Sequence, residues 1–139
     1  IVLLMFSGRV VARVGPINLM MLGVGAGIVR WTVLALSPPL WLLIPIQCLH
    51  AGTFCAVHLG TMHFILRATP QHLIGTAQSI YSAITIGIFF SIGQYGSGVL
   101  FGAYGSLGYL AMTGFSVIAL ALIFLLGRLW DGGVLPVRG

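Results

Sequence analysis

The sequence has 139 residues, of which 59% are hydrophobic and 5% charged, and its mean hydropathy is +1.14. A water-soluble domain carries about 25% charged residues, so this composition excludes a solvated surface and points to lipid as the solvent. The formal charge of +5 comes from six scattered arginines with no lysine, and this argues against nucleic acid, whose binders cluster their basic residues.

The chain opens on the apolar run Ile1-Val2-Leu3-Leu4-Met5-Phe6, with no initiator Met and no basic n-region. We expect neither a signal peptide nor a natural start here. We read it as the end of a membrane span, and the chain as the C-terminal fragment of a larger protein forming a single transmembrane domain over residues 1–139. The polar stretch 7–16 follows, with Gly8, Arg9, Arg13, Gly15 and Pro16. The first full span is expected at about 17–36. Ser37-Pro38-Pro39 then forces a tight connection, since Pro-Pro cannot continue a helix. The second span is expected at about 40–66, with Pro45 tolerated near its first turns, and Pro70 breaks the loop that follows. A third span is expected at about 75–100, a glycine-rich turn at 101–106, and a fourth span at about 107–127. Each has roughly the 20 residues needed to cross about 30 Å of hydrocarbon as a helix. The runs do not alternate as barrel strands do. The expected fold is therefore all-α: a polytopic membrane helix bundle of four complete transmembrane helices plus the end of a fifth.

If each span crosses once, Arg9, Arg13, Arg67, Arg128 and Arg138 all fall on one side of the membrane. The positive-inside rule makes that side cytoplasmic, and Arg30 is the exception.

Helical projection at 100° per residue sorts the polar groups. On the second span Gln47, His50, Phe54, His58 and Thr61 form one narrow stripe, which should face protein or a water-filled cavity rather than lipid. On the third, Gln78, Ser82, Thr85, Phe89 and Gly96 cluster within about 40°, roughly opposite the small-residue stripe of Gly87, Ser91, Gln94 and Gly98. One face suits a cavity and the other a neighbouring helix. The first span carries the single pair Gly23 and Gly27. Arg30 has two readings: an interfacial arginine snorkelling beside Trp31, or a cavity-facing cation that holds an anionic or polar substrate or tunes a proton site. His50 and His58 are either interhelical hydrogen-bond partners or pathway residues. His63 and His72 read as structural or interfacial.

Several chemistries find no support. Cys48 and Cys55 are seven apart on one helix, where a bridge is not geometrically expected. No His pair at i, i+4 and no acid within the spans is present to complete a metal site, and Asp131 in the tail is the sole acidic residue. Ser97 lacks a general base at helical spacing. No cofactor and no enzymatic activity are expected.

The loop Gly8-Arg9-Val10-Val11-Ala12-Arg13-Val14-Gly15 resembles the cytoplasmic signature of major facilitator transporters, G-x-x-x-D-R-x-G, with Ala12 where the family has Asp. Leu49-His50-Ala51-Gly52-Thr53-Phe54, with Arg67, Gln78, Tyr81 and Ser82 downstream, is similar to the C-terminal half of proton-coupled permeases of the phenylpropionate and lactose-permease kind. In those, an Arg in helix nine and a Leu-His in helix ten lie twenty residues apart, as Arg30 and His50 do here. Thr53 stands where the lactose-permease branch has its proton-coupling Glu, and the phenylpropionate-type branch fits the overall run Leu49–Ser82 better. The resemblance implies helices eight to twelve of a major-facilitator C-terminal bundle in a bacterial inner membrane. It implies secondary active transport of a small solute by alternating access, with proton symport of an organic anion or other small metabolite. Arg30, Gln47, His50, His58, Gln78 and Thr85 would line the substrate or proton pathway, and Gly8, Arg9, Arg13 and Gly15 would form the cytoplasmic gate loop. The partners would be the bilayer, the missing N-terminal half, substrate and protons. A structural or accessory membrane subunit without transport activity is the alternative.

Overall fold

A computed structural model describes residues 13–136. Among them every regular element is helical. Helix α1 spans Pro16–Ala35 and helix α2 spans Leu40–Ala68. After a 3₁₀ turn at Gln71–Leu73 the chain continues as α3 (Ile74–Ser82), a π-helical stretch (Ala83–Phe89) and α4 (Phe90–Tyr104), which together form one rod. A second 3₁₀ turn, Gly105–Gly108, leads into α5 (Tyr109–Leu129). By length and apolarity three helical tracts can cross a membrane: Pro16–Ala35, Leu40–Ala68 and the 59-residue tract Gln71–Leu129. The chain is an all-α membrane helix bundle.

Local sequence sets the boundaries. Gly15 takes φ +80°, a left-handed conformation that suits glycine, and Pro16 supplies a preset φ at the first helical position. The proline grouped with the loop by sequence thus opens α1. Pro38 and Pro39 separate α1 from α2. The long third tract is divided at Gly105, whose φ is +58°. There the chain turns so sharply that a Cβ on Gly108 would lie 3.0 Å from the Leu100 carbonyl.

Helix α1 is central, with α2 on one side and α5 on the other. Both neighbours run antiparallel to it. A Cβ on Gly23 would meet Val57 at 2.8 Å and the Thr53 carbonyl at 3.1 Å, and one on Gly60 would meet Met20 at 2.5 Å and the Pro16 carbonyl at 2.9 Å. Glycine at these two places lets α1 and α2 approach closely. The α1–α5 seam is marked in order by Trp31 stacked on Tyr109 at 5.7 Å, the Thr32 and Thr113 hydroxyls at 3.3 Å, and Ile17 against Gly127. On α2 the buried residues Ile46, Thr53 and Gly60 recur every seven, one stripe along its packed face.

The two ends of the bundle differ in chemistry. At one, the Ser37 hydroxyl donates to Ser106 Oγ at 2.7 Å, joining the two arginine-free turns. At the other, Trp130 packs edge-on against Phe64 and the Leu135 N–H donates to the Ala68 carbonyl at 2.8 Å, so the tail lies against the end of α2. Arg13, Arg67 and Arg128 belong to this second end, and all three are exposed. The rod formed by α3, the π stretch and α4 stands apart, with no residue buried among the described ones. It meets α2 through its first segment and α5 chiefly through the Gly105 turn.

Candidate substrate-binding site

The three packed helices line an open cavity of about 380 Å³, within the roughly 300–1,000 Å³ typical of small-molecule sites. Helix α1 lines it with Gly23, Gly27, Arg30 and Trp31; α2 adds His50, Thr53 and Phe54. Helix α5 closes the third wall with Met112, Phe115 and Ser116. The walls are mainly apolar, and Phe54 and Phe115 form an exposed rim.

Arg30 is 6% exposed. Seven residues separate it from Gly23, so the two lie within about 20° of each other on α1, and Arg30 sits on the packed face rather than the lipid face. Its guanidinium carbon lies 3.9 Å from the centroid of the Trp31 ring, over the indole. Its Nε is buried without a hydrogen-bond partner among the described residues. The one acid in the chain, Asp131, sits beyond the end of α5 and accepts the Gly133 N–H at 3.0 Å. Among the described residues the buried cation therefore has no counter-charge beside it.

His50 shares the cavity. Its carbonyl accepts the Thr53 hydroxyl at 2.9 Å, and Thr53 is 7% exposed. The other stripe residues of α2 fall elsewhere, and the position of the buried stripe explains why. His50 lies about 40–80° around the helix from Ile46, Thr53 and Gly60, whereas Gln47 lies about 100–140° away and His58 about 120–160° away. Gln47 lines a separate apolar groove beside Trp41, Ile44 and Cys48. His58 is exposed and stacks on Phe54 at 5.9 Å, while Phe54 in turn lies 6.5 Å from His50, so an aromatic row leads away from the cavity. Gln78 and Thr85 are on the rod and do not line the cavity. Of the expected gate-loop residues, Gly8 and Arg9 lie outside the described residues, Arg13 is exposed and Gly15 caps α1. His63 Nδ1 is bonded to the Leu59 carbonyl at 2.9 Å, a local contact within its own helix.

The sequence reading did not anticipate the α5 wall. Helix α5 is apolar all round, and its weak signal was Thr113 and Ser116 three apart, one bonded to Thr32 and the other lining the cavity. The snorkelling reading of Arg30 sets Trp31 beside it at the interface; in the structure the guanidinium lies over the indole, and both residues line the cavity. Among the described residues no three His, Cys, Asp or Glu side chains come together as a metal would need.

Similarity to known proteins agrees with this architecture. The chain matches the MFS_1 like family over residues 1–123. It is 28% identical over 125 residues to a protein of Escherichia coli (strain K12) named "Probable 3-phenylpropionic acid transporter", a match covering 90% of this chain and 32% of that protein. It is 24% identical over 118 residues to the "Uncharacterized transporter YwbF" of Bacillus subtilis (strain 168), covering 81% of this chain and 30% of that protein. The chain thus spans about a third of the length of the curated relatives it matches. No solved structure matches it. A multi-pass helical membrane chain matched over nearly its whole length, it belongs to the MFS_1 like family of major facilitator proteins.

Proposed function

We propose that the chain is the C-terminal part of a secondary transporter that moves a small organic anion across a bacterial cytoplasmic membrane, coupled to protons. The observation that carries this reading is Arg30: a buried cation with, among the described residues, an unpartnered Nε and no acid beside it, on the wall of a cavity large enough for a small solute. A buried charge without a partner is costly. An anionic substrate, or a carboxylate from the rest of the protein, would supply the missing charge. The name of the Escherichia coli relative, "Probable 3-phenylpropionic acid transporter", supports the first.

In this reading Arg30 binds the anionic group and His50 carries a proton in the same cavity. Two positive charges side by side repel, so the anion and the proton each favour the other's binding. Phe54, Phe115 and Met112 offer apolar surface to the body of the solute. Binding between two halves of a transporter, with access alternating from side to side, is the general scheme for such folds. The arginine-bearing end faces the cytoplasm by the positive-inside rule.

Uptake of radiolabelled 3-phenylpropionate into cells or proteoliposomes holding the full-length protein tests the assignment. Arg30→Gln abolishes accumulation. His50→Gln weakens proton-driven uptake more than exchange of identical substrates across the membrane. Normal accumulation by both variants at wild-type abundance would return Arg30 to a purely structural role.

A further inference from the structure

We propose that Trp31 is a positioning residue for the Arg30 site, holding the guanidinium on its indole face so that the edge of the cation stays available to an anion. The inference rests on the reading of Arg30 as the anion-binding cation.

Consecutive residues on a helix point about 100° apart, so Arg30 and Trp31 do not meet by default. Here the arginine side chain curls until its guanidinium carbon lies 3.9 Å from the indole centroid. The cation thus sits over the face of the ring. Contact with the indole covers one side of the guanidinium and leaves the N–H groups that turn away from the ring, the donors that pair with a carboxylate. A cation with no ionic partner among the described residues needs some other group to fix its place, and the indole quadrupole supplies one in an apolar setting.

The indole is itself held. Trp31 stacks on Tyr109 with centroids 5.7 Å apart and planes 23° apart. Tyr109, first residue of α5, also touches Phe101 at 5.8 Å. A row of four side chains therefore runs from the cavity to the end of the rod: Arg30, Trp31, Tyr109, Phe101. Both Arg30 and Trp31 line the cavity, which fits a platform and its cation better than two lipid-interface anchors.

Two measurements test the proposal in the full-length protein. In the first, every tryptophan except Trp31 is replaced by Phe, and the emission of Trp31 is recorded without any solute. Removing the adjacent cation by Arg30→Gln shifts that emission. In the second, uptake of 3-phenylpropionate is measured at equal protein abundance. Trp31→Leu raises KM about tenfold with little change in kcat, while Trp31→Phe, which keeps an aromatic face, stays within about threefold of wild type. Tyr109→Leu moves KM the same way by less, and Tyr109→Phe leaves it unchanged. An emission spectrum indifferent to Arg30→Gln overturns the stacked pair. A shifted spectrum with wild-type KM in Trp31→Leu overturns the positioning role while leaving the anion site intact. If the wild type takes up no 3-phenylpropionate, the transport reading fails for that solute, and the emission measurement alone upholds or overturns the pairing.

Discussion

The packed trio of α1, α2 and α5 and the rod of α3, the π stretch and α4 are built from the same kinds of residue, yet one is a core and the other is bare. Both are apolar and glycine-rich. In the trio, Gly23 and Gly60 sit where an added methyl group would collide with a neighbouring helix. In the rod, a methyl on Gly87, Gly93, Gly96, Gly98 or Gly102 would meet nothing. Hydropathy cannot tell the two apart, because lipid tails are as apolar as leucine and give no drive for helices to associate. Close fit between surfaces makes the difference, and among the described residues no surface fits these faces of the rod.

The largest effect expected from this contrast is on activity. The purified 139-residue chain in liposomes shows no saturable uptake of 3-phenylpropionate, because a cavity between two halves needs both. Saturable uptake would mean that the chain completes its own pathway, for instance by self-association over the rod. Next in size is Gly60→Val. The new side chain would press on the Pro16 carbonyl, a backbone atom that cannot swing away, and overpacking of this kind costs about 1–3 kcal/mol. Thermal unfolding in detergent should show a clear fall in midpoint, with Gly23→Val close behind. Gly93→Val sharpens the comparison. In the 139-residue chain it leaves the midpoint where it was; in the full-length protein a fall would show that a partner helix covers that face. The smallest effect is at the joined turns. Ser106→Ala removes one exposed hydroxyl bond to Ser37, worth about 0.5–1.5 kcal/mol at most, and a shift larger than that of Gly23→Val would contradict the view that glycine contacts hold the trio together.

The helical class was legible from composition and run length alone, because a backbone in hydrocarbon must satisfy its own hydrogen bonds. The breaks were legible too, at Pro38-Pro39 and around Gly105, since both rest on local backbone chemistry. The π-helical stretch at Ala83–Phe89 was not: its residues read as ordinary helix. The site was half legible. A polar stripe on α2 was visible, but which part of it faces the cavity depends on the buried residues Ile46, Thr53 and Gly60. Those three are apolar, polar and small, so no hydrophobic pattern picks them out. On α1 the seven-residue spacing of Gly23 and Arg30 was in the sequence all along. Its meaning came only with Val57 and Thr53 seated against Gly23.

The place of α1 between α2 and α5 has a consequence for synthesis. Helix α2 follows α1 by four residues and can dock as soon as both have entered the membrane. The other flank of α1 waits for α5: Thr32 meets Thr113 across 81 residues of chain. Throughout the making of α2 and the whole rod, Trp31 and Gly27 face lipid or a temporary partner. The Arg30 cavity, whose third wall is α5, is thus the last feature of this region to be finished on the ribosome. A chain arrested within the rod would present an unclosed flank with a charged residue in it, the kind of surface by which membrane quality control can tell an incomplete product from a finished one.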